Sequence, residues 1–189
     1  MTEQLNDDLW ETPPELFSVL DSEFHFTLDV CCMEETAKCA RYFTPRENGL
    51  AQCWDGEVAF MNPPYSQVGI WIRKAWCESL LGATVVALIP SRTDNEYWHT
   101  YILPDSRVGI SDSLRRVHNA SEIRMIRGRV PFLHYGKRYG SPKMPSVLVV
   151  FAGRYVGVPT VVSMGRIEYG GERCCLPKRK AAIVPRILL

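Results

Sequence analysis

No apolar run in this 189-residue sequence approaches the roughly 20 residues that span a bilayer, and its polar, acidic start carries no signal-peptide pattern. A membrane-embedded or exported protein is therefore not expected, and a cytoplasmic location is. Metal-ligand spacing is lacking as well. The seven cysteines (Cys31, Cys32, Cys39, Cys53, Cys77, Cys174 and Cys175) form no C-x-x-C pair and are odd in number, which argues against a zinc site and a disulfide framework. They read as reduced thiols, several of them small core residues. His25, His99, His118 and His134 are too scattered to suggest a metal cluster. Internal repeats and low-complexity linkers are absent too. One domain over residues 1–189 is the simplest organisation, with a core at about 10–152 and a C-terminal extension at 153–189.

Positive charge is missing from the front. Residues 1–35 hold ten acids and no Lys or Arg, although the whole chain has a net charge of only +1. Residues 107–143 reverse the balance, with nine bases (Arg107, Arg115, Arg116, Arg124, Arg127, Arg129, Lys137, Arg138 and Lys143) against Asp112 and Glu122, a local excess of +7. This asymmetry suggests a polyanionic ligand met by one face.

The hydrophobic pattern reads as an α/β protein. Thr12, Pro13 and Glu15 form a T-x-x-E capping box opening a helix, with Trp10 as a hydrophobic staple. Strands are expected at 24–31, 57–61, 84–89, 122–127, 145–151 and 160–164. Helices are expected at 34–42, 66–81 and 94–102, the second stopped by Gly82 and burying Trp71 and Trp76. Strands alternating with helices imply a mostly parallel sheet, and the late pair of strands would add an antiparallel hairpin at its edge.

The most informative segment is Asn62-Pro63-Pro64-Tyr65, directly after an apolar strand. Average residue usage would place this tetrapeptide in fewer than about one chain in a hundred of this length. Two prolines fix φ and remove two backbone donors, leaving a stiff turn with outward carbonyl acceptors. The Asn62 side-chain oxygen and the Pro63 carbonyl can grip an –NH₂ group from two sides, while Tyr65 offers a face on which a planar base stacks. The amine of a purine is a poor nucleophile because its lone pair is delocalised into the ring. Two acceptors on its hydrogens favour the pyramidal state that can attack a methyl group, without a strong base.

A collinear series surrounds this corner. It runs from Trp10-x-Thr12-Pro13-x-x-x-Phe17 through Leu28-Asp29-Val30-Cys31, Ala37-Lys38-Cys39 with Tyr42, and Gly49-Leu50 followed by Trp54. It continues through Asn62 to Ser66, Leu88 to Asp94 with Trp98, Ile126 to Arg129 leading to Phe132, and Pro145-Ser146. The whole resembles the phage-type DNA N6-adenine methyltransferases, Dam-like enzymes that use S-adenosylmethionine. The resemblance implies a Rossmann-like, S-adenosylmethionine-dependent methyltransferase fold with the cofactor over the carboxyl ends of the first strands. It implies catalytic roles for Asn62, Pro63, Pro64 and Tyr65. Asp29 and Cys31 would lie near the methionine or ribose part of the cofactor, with Trp10, Thr12 and Pro13 closing over it. Double-stranded DNA would be the partner, its target adenine flipped out and held with Ser66, Arg92, Arg127, Arg129, Lys137 and Arg138, and GATC would be the first target sequence to test.

Two departures stand out. Cys31-Cys32-Met33-Glu34 replaces the Gly-rich loop that many methyltransferases carry after this strand, and Asn48 stands where the family often has Asp. They favour one rival, a DNA-binding relative without cofactor or catalysis; the other, the same chemistry on RNA or a protein amide, stays open because the N-P-P-Y element alone is shared with methyltransferases of that kind.

Overall fold

The computed structural model describes residues 7–103, 119–138, 144–153 and 159–170. The long apolar runs become the middle of a seven-stranded sheet. Its strands in chain order are β1 (Leu28–Asp29), β2 (Arg41–Tyr42), β3 (Val58–Met61), β4 (Thr84–Pro90), β5 (Glu122–Ile126), β8 (Ser146–Ala152) and β9 (Thr160–Met164). A separate two-stranded hairpin pairs β6 (Leu133–His134) with β7 (Lys137–Arg138). Across the large sheet the order is β2-β1-β3-β4-β8-β5-β9.

The first four of these strands are parallel, β8 runs opposite to β4 and β5, and β9 is parallel to β5. This is a Rossmann-like methyltransferase arrangement. β4 and β8 are buried along almost their whole length, which explains why both read as unbroken apolar runs instead of alternating. Helix α2 (Val68–Leu81) lays Trp71, Ile72 and Ala75 against the core. It stops at Gly82, whose φ of 124° suits glycine alone.

Several boundaries moved. Helix α1 spans Pro14–Phe24 and is capped by Pro13 without any side-chain hydrogen bond, so the Thr12–Glu15 capping box does not form. The helix starts one residue later than the box requires: Pro13 takes the cap position, its carbonyl accepting the Phe17 N–H at 3.1 Å, and Thr12 is left outside the helix. Trp10 is no staple either; its ring packs on Phe132 and His134, with centroids 6.1 Å away in each case. The strand expected at 24–31 shrinks to two residues, because α1 runs on to Phe24 and His25 closes it in a left-handed conformation. Asp21 then anchors the exit by accepting the Phe26 N–H at 2.9 Å.

The helix expected at 34–42 is a single 3₁₀ turn, Glu34–Thr36, followed by β2, and the one at 94–102 is a five-residue π-turn, Trp98–Ile102. The late strands do pair antiparallel, but β8 inserts inside the sheet and β9, from the C-terminal extension, forms its edge. Trp71 is core, stacked on Trp54, whereas Trp76 is only partly buried, against Tyr101. Among the described residues no helix is long and apolar enough to cross a membrane. The described cysteines are all free; Cys31, Cys32, Cys39 and Cys77 are half-buried and Cys53 is exposed, so none is fully interior. Cys174 and Cys175 lie outside the described residues.

Candidate active site

Because β1, β3 and β4 are parallel neighbours, their carboxyl ends share one edge of the sheet, where ligands of such folds bind. Asp29 closes β1, Asn62 follows β3 and Ser91 follows β4. The Val30 N–H donates to the Phe60 carbonyl at 3.1 Å, which keeps the first two ends in step.

At the corner, Pro63 is buried, Asn62 and Pro64 are half-buried, and Tyr65 begins a 3₁₀ turn, Tyr65–Gln67, that leads into α2. The Asn62 side-chain N–H₂ donates to the Trp10 carbonyl at 2.7 Å. That bond fixes the amide's orientation, so Oδ1 is the end turned away from the N-terminal segment. This Oδ1 is buried and has no hydrogen-bond partner, and neither has the buried hydroxyl of Thr12. Buried acceptors without partners are rare in folded proteins and mark places where a ligand donor is missing. The Tyr65 ring, 7% exposed, meets Phe132 edge-on at 6.2 Å and lines a cavity of about 560 Å³. Arg92, Asn95, Tyr97 and Thr100 line it as well, and Asn62 does not.

The cofactor candidates gather around the end of β1. Asp29 is 2% exposed and accepts N–H bonds from Cys31 at 3.4 Å and Lys38 at 3.1 Å. Burial outweighs these bonds and pushes its pKa up to about 6. Asp29 thus ties down the loop that replaces the Gly-rich turn, which accounts for a tight loop without glycine. The Cys31 sulfur lies within reach of the Asn62 backbone N–H, linking the two strand ends; burial and then the Asp29 charge raise its pKa well above the ordinary thiol range. The same two causes push Cys39 up to about 12. Both shifts disfavour the thiolate, the nucleophilic form. Trp10 and Thr12 are buried beside the corner, and Pro13 serves as the cap of α1. Asn48 has a φ of 54°, a left-handed conformation that Asn and Asp both tolerate, so the Asp-to-Asn departure has a backbone reason.

The DNA candidates divide. Arg92, Arg127, Arg129 and Lys137 are exposed. Arg138 is engaged in an ion pair with Glu15 that joins β7 to α1, and Arg124 is held by Glu23 and Glu122. The basic excess is therefore partly spent on the acids of the N-terminal region. Arg107, Arg115, Arg116, Lys143 and the triplet at 178–180 lie outside the described residues. Ser66 donates both its N–H and its hydroxyl to Asp8, at 2.8 and 2.7 Å.

Sequence reasoning missed Asp8, and it read 135–144 as a DNA-reading loop without the β6–β7 hairpin whose turn lies there. Tyr135 is 78% exposed, and Tyr135 and Gly136 both have positive φ, the two-residue turn that hairpins favour. The Tyr-Gly dipeptide between apolar and basic residues was the available signal. No comparable signal marks Asp8.

Comparison with known proteins identifies the family. The family described as DNA N-6-adenine-methyltransferase (Dam) matches residues 1–168. A DNA N-6-adenine-methyltransferase of Haemophilus phage HP1 is 30% identical over 155 residues, covering 79% of this chain and 82% of the relative. One of Escherichia phage T1 is 33% identical over 70 residues, 36% of this chain and 29% of the relative. An Escherichia coli protein named putative methyltransferase YfdM is 38% identical over 65 residues, 31% of this chain and 71% of the relative. With a family match that spans the sheet, the diproline corner and both segments packed on it, the chain belongs to the Dam family of DNA N-6-adenine-methyltransferases.

Proposed function

We propose that the chain methylates the N6 amine of an adenine turned out of duplex DNA, with S-adenosylmethionine as donor and GATC as the target sequence. The observation that carries this is the buried, partnerless Oδ1 of Asn62, oriented by the Trp10 carbonyl, three residues before the Tyr65 that lines the cavity. An adenine amine is the donor this oxygen lacks. Asn62 Oδ1 and the Pro63 carbonyl take its two hydrogens and favour the pyramidal nitrogen, while the Tyr65 face replaces stacking lost on flipping. Since Oδ1 has no solvent exposure here, the amine reaches it only when a covering segment shifts. GATC rests on the resemblance alone. Modified-base sequencing of DNA from cells expressing the protein tests adenine, position and target together; no N6-methyladenine above background would refute the proposal.

The residues at this edge fit the donor: Asp29 offers a buried carboxylate for an ammonium or ribose hydroxyl, and Thr12 a buried hydroxyl without a partner. When bound, the cofactor supplies a methyl group activated on a sulfonium. Asp29 makes binding pH-dependent. Its pKa of about 6 in the free protein means that roughly nine-tenths is protonated at pH 5, so affinity should fall about ten-fold from pH 7 to pH 5. Calorimetry across this range checks it; Asp29→Asn should weaken binding at pH 7 and flatten the profile. For folding alone the sign is opposite. A carboxyl with a raised pKa contributes stability that is full below its unfolded pKa and is lost as pH rises through about 6, up to about 3 kcal/mol here.

Phosphate contacts come from the exposed bases. If Arg92, Arg127 and Lys137 each neutralise one phosphate, log affinity should fall against log salt with a slope of about −3. Replacing Lys137 with Ala should reduce the slope by about 1, whereas Arg138→Ala should leave it unchanged and lower the melting temperature, because its charge is already used by Glu15. Filter binding over a salt series distinguishes the two variants.

A further inference from the structure

We propose that Asp8 is a positioning residue for methyl transfer, acting through Ser66 and the Trp10 carbonyl to hold the Asn62 amide the right way round. This rests on the proposed function of the corner. The turn Tyr65–Gln67 follows two prolines and opens α2, yet Gln67, at the cap position of that helix, makes no side-chain capping bond. The start of a 14-residue helix favours a carboxylate, and this one is supplied from 58 residues upstream. Asp8 Oδ1 accepts the Ser66 N–H at 2.8 Å and Oδ2 accepts the Ser66 hydroxyl at 2.7 Å. Charge-assisted, two-pronged bonds of this kind fix geometry as well as distance.

Two residues after Asp8, the same segment places the Trp10 carbonyl on the Asn62 N–H₂ at 2.7 Å. One short stretch of chain therefore grips the catalytic corner at both ends, Asp8 beyond Tyr65 and Trp10 before Pro63. Glu11 continues the grip: its N–H and carbonyl pair with Leu133, each bond 2.9 Å, and its carboxylate accepts the Gly136 N–H. Asp8 is the tie that reaches the corner directly from the far side.

The consequence for chemistry lies in the symmetry of an amide. Rotated by half a turn, Asn62 would present N–H₂ where Oδ1 now waits, and an adenine amine would meet a donor instead of an acceptor. Only the Trp10 carbonyl opposes that rotation in the bonds seen at this side chain. Without Asp8 the Trp10–Glu11 peptide is held from the Glu11 side alone, by its bonds to Leu133, and the corner loses its anchor at Ser66, so the carbonyl and the Asn62 amide shift against each other and the wrong orientation populates. The loss should then appear in the rate of transfer and not in cofactor affinity, because Asp29 and its loop are untouched.

Single-turnover transfer of a labelled methyl group to duplex DNA reads this directly. Asp8→Ala should slow the step ten-fold or more with cofactor and DNA half-saturation within two-fold of wild type, and Asp8→Asn, which keeps one acceptor, should recover part of the loss. Adding Ser66→Ala to Asp8→Ala should cost nothing further. A rate within two-fold of wild type, a loss confined to half-saturation, or multiplying effects in the double variant would each overturn the proposal. Hydrogen exchange of the peptide spanning 62–67 provides a readout independent of activity. It should quicken in Asp8→Ala while the middle of α2 stays protected; unchanged exchange would sink the role of Asp8. A wild-type protein that methylates no adenine would refute the proposed function, and the exchange result would still decide the tie.

Discussion

Replacing Asn62 with Ala should remove most turnover while leaving the fold and cofactor affinity close to wild type. The substitution deletes the one side-chain acceptor aimed at the amine and breaks the bond to the Trp10 carbonyl. Taking away a preorganised hydrogen-bonding group that acts in the transition state costs on the order of 10²–10³ in rate. Stability should change little. The residue is half-buried, its Oδ1 already lacks a partner, and what the fold loses is one side-chain bond. Asn62→Asp is the sharper companion: it keeps an acceptor but sets a carboxylate against the Trp10 carbonyl, so it too should be slow. Single-turnover rates measured beside calorimetric cofactor affinity check both. Wild-type rates in Asn62→Ala would exclude the side chain from the chemistry.

The largest structural effect is expected at Gly49. A Cβ there would lie 2.1 Å from the Val30 carbonyl oxygen and 3.3 Å from Cη2 of Trp71. The first contact is with backbone at the end of β1, which cannot swing aside as a side chain can. Overpacking of this kind costs about 3 kcal/mol or more, and for a chain of this size that lowers the melting temperature by about 10 °C. The turn it would displace is well anchored: the Trp54 indole N–H donates to the Gly49 carbonyl at 3.0 Å, and the Trp54 backbone N–H donates to Glu78 at 2.7 Å. Lys74 neutralises Glu78 from one helical turn away. Gly56 is the control. It has a φ of 73° but open space around its Cα, so alanine there should cost only the left-handed conformation, about 1–2 kcal/mol. Thermal melts of the two variants side by side separate steric from conformational cost. Since Val30 lies between Asp29 and Cys31, Gly49→Ala should also weaken cofactor binding in whatever fraction folds.

The parts of the site that were legible share a local cause. Asn62-Pro63-Pro64-Tyr65 could be read because proline restricts its own backbone and that of its neighbour, so the corner's shape is written in four residues. The core strands could be read because β-branched runs such as Val85 to Ile89 have few other places to go. Thr12 misled because the helix takes Pro13, one residue later, as its cap and leaves Thr12 outside it. The helices expected at 34–42 and 94–102 failed because short segments take their conformation from what they pack against. The first is governed by Asp29 accepting the Lys38 N–H, the second by Trp98 and Ile102 turning into the core.

By itself, then, the amino-acid order determined the strand-forming runs, the α/β class and the stiff diproline corner after β3, all features fixed within a few bonds of one another. Folding decided which charges remain for DNA and which are consumed inside the protein. Arg124 meets Glu23 across 101 residues, Arg138 meets Glu15 across 123, and Asp8 reaches Ser66 across 58. No periodicity or spacing encodes such pairings, because they depend on where the chain returns in space. The acidic front and the basic rear are in part each other's partners.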